Sequence, residues 1–211
     1  MTRTMTGLLA ALALVALTAA PAAAQDTSMS FFISSAGSGN GANLGGLAGA
    51  DAHCQMLGAA AGVGNRTWQA YLSTDGPNGV NARDRIGSGP WYNADGVMIA
   101  ASVDALHNQE TANINLEAGL DENGNRINGE GMPNRHDILT GSDASGMVIA
   151  GQTCGNWTSS GEGTAMLGHY DRLARGTPGS PWNEAHASRS CSQEDLVATG
   201  GAGLIYCFAV D

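Results

Sequence analysis

Four cysteines, Cys54, Cys154, Cys191 and Cys207, constrain this chain more than any other feature. An even number of cysteines behind an export-type leader reads as a disulfide framework, and four of them allow three pairings, which the sequence alone leaves open. The stretch Thr153-Cys154-Gly155-Asn156-Trp157-Thr158-Ser159 carries one of them, and the rest of the chain is read as arranged around it. Composition explains why covalent links matter here. The chain has 31 glycines among 211 residues and only 13% charged side chains, which points to a loop-rich fold rather than a helix bundle. Glycine loses more backbone freedom on folding than any other residue, so cross-links that restrict the unfolded chain carry unusual weight.

The leader is residues 1–24. Arg3 supplies a positive start, Leu8 to Ala19 form an apolar run, and Ala22-Ala23-Ala24 before Gln25 fits a small-residue cleavage site. The run is short for a membrane anchor and is followed by Pro21, so it is read as a signal peptide rather than a span. Residues 25–211 then form a single domain, secreted or periplasmic, in an oxidising compartment where disulfides persist. No later segment approaches the length of a membrane-spanning helix.

Charge narrows the partners. The sequence contains no lysine, and 19 acidic residues against nine basic ones give a formal net charge of −10. Such an acidic surface repels phosphate, which argues against nucleic acid, heparin-like polyanions and anionic membranes. Without lysine there is neither a phosphate-loop amine nor a Schiff base. Cations, neutral glycans and proteins remain.

Periodicity places the elements. Phe31-Phe32-Ile33 suits an edge strand, followed by a loop from Ser34 to Gly46. Leu47, Ala50, Cys54, Leu57 and Ala61 recur at helical spacing until Gly62 and Gly64, which puts Cys54 on the buried face of the first helix. Trp68, Ala70 and Leu72 alternate as in a half-buried strand, and Asp75-Gly76-Pro77-Asn78-Gly79 turns the chain. Ser102 caps a short helical turn. Asp121 to Asn125 has the composition of a hairpin turn, and His136 to Gly141 leads into a second turn at Ser142 to Gly146. Leu204 to Val210 forms a terminal strand holding Cys207.

Six blocks then carry a resemblance, in order: Gly49-Ala50-Asp51-Ala52-His53-Cys54, Trp68-Gln69-Ala70-Tyr71-Leu72-Ser73, Ala82-Arg83-Asp84-Arg85, Thr140-Gly141-Ser142-Asp143, Cys154-Gly155-Asn156-Trp157-Thr158, and Ser190-Cys191 with Tyr206-Cys207. Over residues 31–211 the chain resembles endostatin, the C-terminal domain of certain collagens, and its bacterial secreted relatives. The resemblance implies a C-type-lectin-like (endostatin-like) fold: a mixed, mostly antiparallel sheet, one main N-terminal helix, long loops and two nested disulfides. The implied pairing is Cys54 with Cys207 and Cys154 with Cys191. Endostatin's zinc site does not carry over, because residues 25–52 contain no histidine. Its heparin-binding arginine face does not carry over either, given the acidic balance.

Candidate binding residues follow from chemistry. Sugar-binding C-type lectins use a Glu-Pro-Asn or Gln-Pro-Asp loop with a Trp-Asn-Asp strand; neither loop motif occurs, but Trp182, Asn183 and Glu184 supply an aromatic, an amide and a carboxylate ahead of Cys191. Trp91 and Trp182 sit among Gly and Pro, where an exposed indole could stack on a sugar or anchor a protein; packing is the competing reading. Trp68 and Trp157 are assigned to the core. Asp121, Asn123 and Asn125, with Glu122 and Glu130 nearby, offer oxygen ligands for calcium, although a hairpin turn explains the same residues. Asn65-Arg66-Thr67 and Asn156-Trp157-Thr158 fit the glycosylation acceptor pattern.

Catalysis finds little support. Asp104 with His107, His136 with Asp137, and His169 with Asp171 are close His/Asp neighbours, but the sequence has no Gly-x-Ser-x-Gly elbow, no His-Glu-x-x-His helix and no Cys-x-x-Cys. The expectation is a secreted, non-catalytic binding module for an extracellular glycan or protein, with no obligatory cofactor beyond an optional calcium ion. A structural subunit of a surface layer or appendage, and a small secreted hydrolase, are the rival readings.

Overall fold

The C-terminal strand is the axis of the structure. In the computed structural model, which describes residues 28–128, 132–171 and 181–211, strand β8 (Gly201–Ala209) is the longest strand among the described residues; the leader and Glu130 lie outside them. Strand β1 (Phe31–Ile33) pairs antiparallel with the end of β8 (Gly201–Ala209), setting Phe32 opposite Cys207. Strand β2 (Trp68–Ala70) also pairs antiparallel with that end of β8, setting Ala70 opposite Cys207.

The first part of β8 pairs in parallel with β5 (Asp137–Leu139). The sheet then continues antiparallel through β6 (Met166–His169) and β7 (His186–Ala187). The order β1-β8-β5-β6-β7, with β2 also on β8, makes a mixed sheet in which, among the described residues, β5 and β8 are the one parallel strand pair. Strands β3 (Trp91–Tyr92) and β4 (Met98–Ala100) form a separate antiparallel pair.

Alternation along β8 divides the core in two. Ile205, Cys207 and Ala209 belong to a cluster with Phe32, Trp68, Leu72 and Trp157, while Leu204, Tyr206 and Phe208 belong to another with Phe31, Ile33, Trp91 and Trp182. Helix α1 (Gly46–Ala60) covers the first side, with Ala50, Cys54 and Gly58 buried. Gly58 is required at that contact, since a Cβ there would lie 2.6 Å from the Trp68 Nε1. Helix α2 (Val103–Leu106) is capped by Ser102, whose side chain accepts from the Ala105 N–H, as its sequence predicts.

The disulfides are Cys54–Cys207, spanning 153 residues and joining α1 to β8, and Cys154–Cys191, spanning 37 residues. They are nested, as the resemblance implies. In the loop-entropy account the outer link contributes about 5 kcal/mol and the inner about 4 kcal/mol.

Segment Cys154–Trp157 is helical but of the left hand: φ is 47° at Cys154, 60° at Gly155, 56° at Asn156 and 67° at Trp157. Left-handed backbone costs an L-residue about 1–2 kcal/mol. Local contacts offset it. Trp157 is fully buried and its Nε1 donates to the Ser73 carbonyl at 2.8 Å, while its own carbonyl accepts from the Leu44 N–H at 2.9 Å. The Asn156 Oδ1 accepts from the Asp75 N–H at 2.7 Å, and Cys154 is held by its disulfide. The motif at the centre of the sequence is thus a strained turn that seats an indole and a sulfur bridge together.

The expectation of exposed indoles at Trp91 and Trp182 is corrected. Each is 1% exposed, and each Nε1 donates to a backbone carbonyl, of Ala209 and of Leu106 respectively. Trp182 packs against Tyr71 and Tyr206 with ring centroids 4.7 and 4.9 Å away.

Candidate metal centre

Sheet register assembles a cluster at the start of β5. Asp137 stands directly opposite His169 across the β5–β6 pair, which puts their side chains within contact range. His186, on β7, pairs with Leu167 and so lies diagonally from His169. Asp171 follows His169 by two residues, the period that returns a side chain to the same face of an extended chain. His136 precedes β5 and lays its ring on that of His169, with centroids 4.2 Å apart and planes at 18°.

The Asp137 Oδ1 is the focus. It lies 2.7 Å from the Nε2 of His169, 3.3 Å from that of His136 and 3.5 Å from that of His186. These are ion-pair distances without hydrogen-bond alignment: both carboxylate oxygens of Asp137 are buried with no hydrogen-bond partner. Its side chain is 0% exposed, against 20% for His136 and 41% for His186. A carboxylate enclosed without a hydrogen-bond partner is costly, and a cation held among it and the three imidazoles would offset that cost.

The outer contacts fix the tautomers. The Nδ1–H of His136 donates to the Asp171 Oδ2 at 3.2 Å, and the Nδ1–H of His186 donates to the Ala187 carbonyl at 3.0 Å. With Nδ1 protonated, a neutral ring presents a bare lone pair at Nε2. The His186 lone pair receives the Nε2–H of His169 at 3.0 Å. The His136 Nε2 instead lies 3.3 Å from the Asp137 Oδ1, out of hydrogen-bond alignment. A metal ion placed among these atoms would draw on both as ligands. Carboxylate or carbonyl acceptors behind the ring are also what orients a metal-ligating histidine.

His136, Asp137 and His169 can each present one ligand atom within 4.8 Å of the others, and these three are the primary candidates to hold a metal. The sequence pairs His136 with Asp137 and His169 with Asp171; the structure draws all four into one cluster and crosses the partners, setting His136 on Asp171 and His169 on Asp137. His186 escapes the sequence reading, because its strand is two residues long and no carboxylate neighbours it in the chain beyond Glu184.

The other candidates are placed elsewhere. Asn183 is buried and its Nδ2 donates to the Tyr71 hydroxyl at 2.8 Å, while Glu184 accepts from the Ala144 N–H, so both serve the packing of the Ser142–Gly146 turn. Asp121, Asn123 and Asn125 form the predicted hairpin turn, closed by the Leu120–Arg126 bridge; the Asp121 Oδ1 accepts from the backbone N–H groups of Asn123 and Asn125, each at 2.8 Å. Asp104 is ion-paired with Arg83 at 3.1 Å, away from His107, which bonds Tyr71.

Fold and cluster together define a disulfide-clamped α+β protein with a buried histidine–aspartate centre on its sheet. No family model matches the sequence, and no curated protein matches it. Among the described residues no helix is long and apolar enough to cross a membrane.

Proposed function

We propose that the protein is a non-catalytic, cation-dependent binding module acting outside the cytoplasm, secreted or periplasmic, on a C-type-lectin-like scaffold. Its cation sits at the cluster of His136, Asp137, His169 and His186, and its partner is an extracellular glycan or protein. The observation that carries this reading is the Asp137 carboxylate, buried without a hydrogen-bond partner beneath three imidazoles. A formal charge of −10 adds a long-range attraction for cations and a repulsion for polyanions. Two disulfides suit an oxidising compartment. The rival hydrolase reading draws on the same His/Asp neighbours, which here engage one another: His136 bonds Asp171, and His169 lies against Asp137.

The test is ligand capture by the purified, disulfide-intact chain on a glycan array and against extracellular protein extracts. Each is run with divalent cations present and again in chelator. Retention that disappears in chelator is the expected result. Retention that is the same in both buffers would separate binding from the cluster and overturn the reading.

A further inference from the structure

Resting on that reading, we infer that the ion is of the zinc class and that it takes four protein donors, with His186 as the fourth. The donor chemistry selects the ion. Three imidazole nitrogens and one carboxylate suit zinc and its neighbours, whereas calcium and magnesium require oxygen ligands. The spacing agrees. Donors about 2.0–2.1 Å from a tetrahedral zinc lie about 3.3 Å from one another; four of the six donor pairs here measure 2.7, 3.0, 3.3 and 3.5 Å, and His136, Asp137 and His169 offer ligand atoms all within 4.8 Å of one another.

His186 supplies the donor that the tight group of three lacks. Its Nε2 is 3.0 Å from that of His169 and 3.5 Å from the Asp137 Oδ1, its side chain is 41% exposed, and the Ala187 carbonyl behind its Nδ1 turns the Nε2 toward the cluster. It is also the edge through which an ion can enter, because Asp137 and His169 are enclosed, at 0% and 2% exposure. An imidazole ligates through a nitrogen that carries no proton, so a hydrogen lying between the Nε2 atoms of His169 and His186 would leave for solvent, or for the unpartnered Nδ1 of His169, when an ion binds. With three imidazoles and one carboxylate filling a tetrahedron, no position is left for a reactive water, so the centre holds structure and ligand affinity rather than hydrolysing anything.

Equilibrium dialysis of the intact chain against zinc and against calcium tests the ion, and cobalt substitution reports the geometry through the intense visible absorption of a tetrahedral site. The expected result is one zinc per chain, no calcium at this cluster and a tetrahedral cobalt spectrum. His186→Ala is expected to weaken zinc at least about 10-fold, the lower bound seen even for residues that only orient a ligand. His53→Ala on α1 serves as a control, with unchanged affinity expected. Calcium binding that His186→Ala abolishes, in place of zinc, overturns this inference but leaves a cation-dependent module standing. Zinc affinity unaffected by His186→Ala overturns the four-donor set. Failure to bind any divalent cation overturns both this inference and the function it rests on.

Discussion

Single side chains in this molecule are constrained most tightly where a polar group is enclosed, and the Tyr71 hydroxyl is such a case. It accepts from the Asn183 Nδ2 and donates to the His107 Nε2, both at 2.8 Å, because the His107 Nδ1–H is committed to the Val103 carbonyl at 2.7 Å. Gly146 closes over this contact; a Cβ there would meet the His107 Nε2 at 2.3 Å. Burial is the main cause that pushes the Tyr71 pKa far up and the His107 pKa below its ordinary value of 6.5. The sign follows. A histidine held neutral in the folded state leaves the unfolded chain with more bound protons below pH 6.5, so its contribution is complete above that pH and is lost as pH falls through and below it. The urea midpoint of the wild type is therefore expected to drop between pH 7.5 and pH 5 by more than that of His107→Gln, which keeps an acceptor but does not titrate. Equal drops would show that His107 is not the group responsible. Tyr71→Phe, which strands the His107 lone pair and one Asn183 donor contact, is expected to cost about 1–3 kcal/mol in the same assay at neutral pH.

Among the elements, the left-handed turn is the one whose sequence is least replaceable. Its three non-glycine residues with positive φ are Cys154, Asn156 and Trp157, and only asparagine among them tolerates that backbone readily. Asn156→Ala loses the side-chain bonds to Asp75 and Thr153 as well as that tolerance, whereas Asn156→Gly loses the same bonds but keeps the tolerance. The alanine variant is thus expected to be less stable than the glycine variant by about 1 kcal/mol, checked by thermal unfolding with disulfides intact. The reverse order would mean that the turn carries no backbone strain. Elements set by local pattern were legible in advance: the α1 stripe through Cys54, the alternation at Trp68–Ala70, the Ser102 cap and the turn at Asp121–Asn125. Long-range register was not. Nothing local in His136-Asp137, His169-Tyr170-Asp171 or His186 states that β5, β6 and β7 lie side by side, since the chain between β5 and β6 runs from Thr140 to Ala165 with its own turn and strained segment. Trp91 and Trp182 leave packing and exposure both open in the sequence, since glycine and proline beside a tryptophan signal irregular backbone without saying where the ring goes; here the rings pack against Phe208 and Tyr206.

At the scale of the whole molecule, the two disulfides and the cluster act on different parts of the sheet. Cys54–Cys207 ties α1 to β8, and Cys154–Cys191 ties the left-handed turn to the chain just after β7. Strand β7, only two residues long and at the end of the sheet, is joined to β6 by two register pairs. An ion shared by His136, Asp137, His169 and His186 would bind β5, β6 and β7 together across that weak edge, and it would do so only in the folded state. Anything that binds the native chain alone stabilises it by mass action, about 2.7 kcal/mol at a free concentration 100 times Kd. For a chain of this size that corresponds to a rise in Tm of about 5–10 °C. The rise should grow with the logarithm of zinc concentration, vanish in chelator and be absent in calcium. It should also shrink in His186→Ala, because the edge strand would then contribute no donor. A Tm that is identical in zinc and in chelator would mean that no ion bridges these strands, and that the sheet edge is held by its hydrogen bonds and the neighbouring disulfide alone.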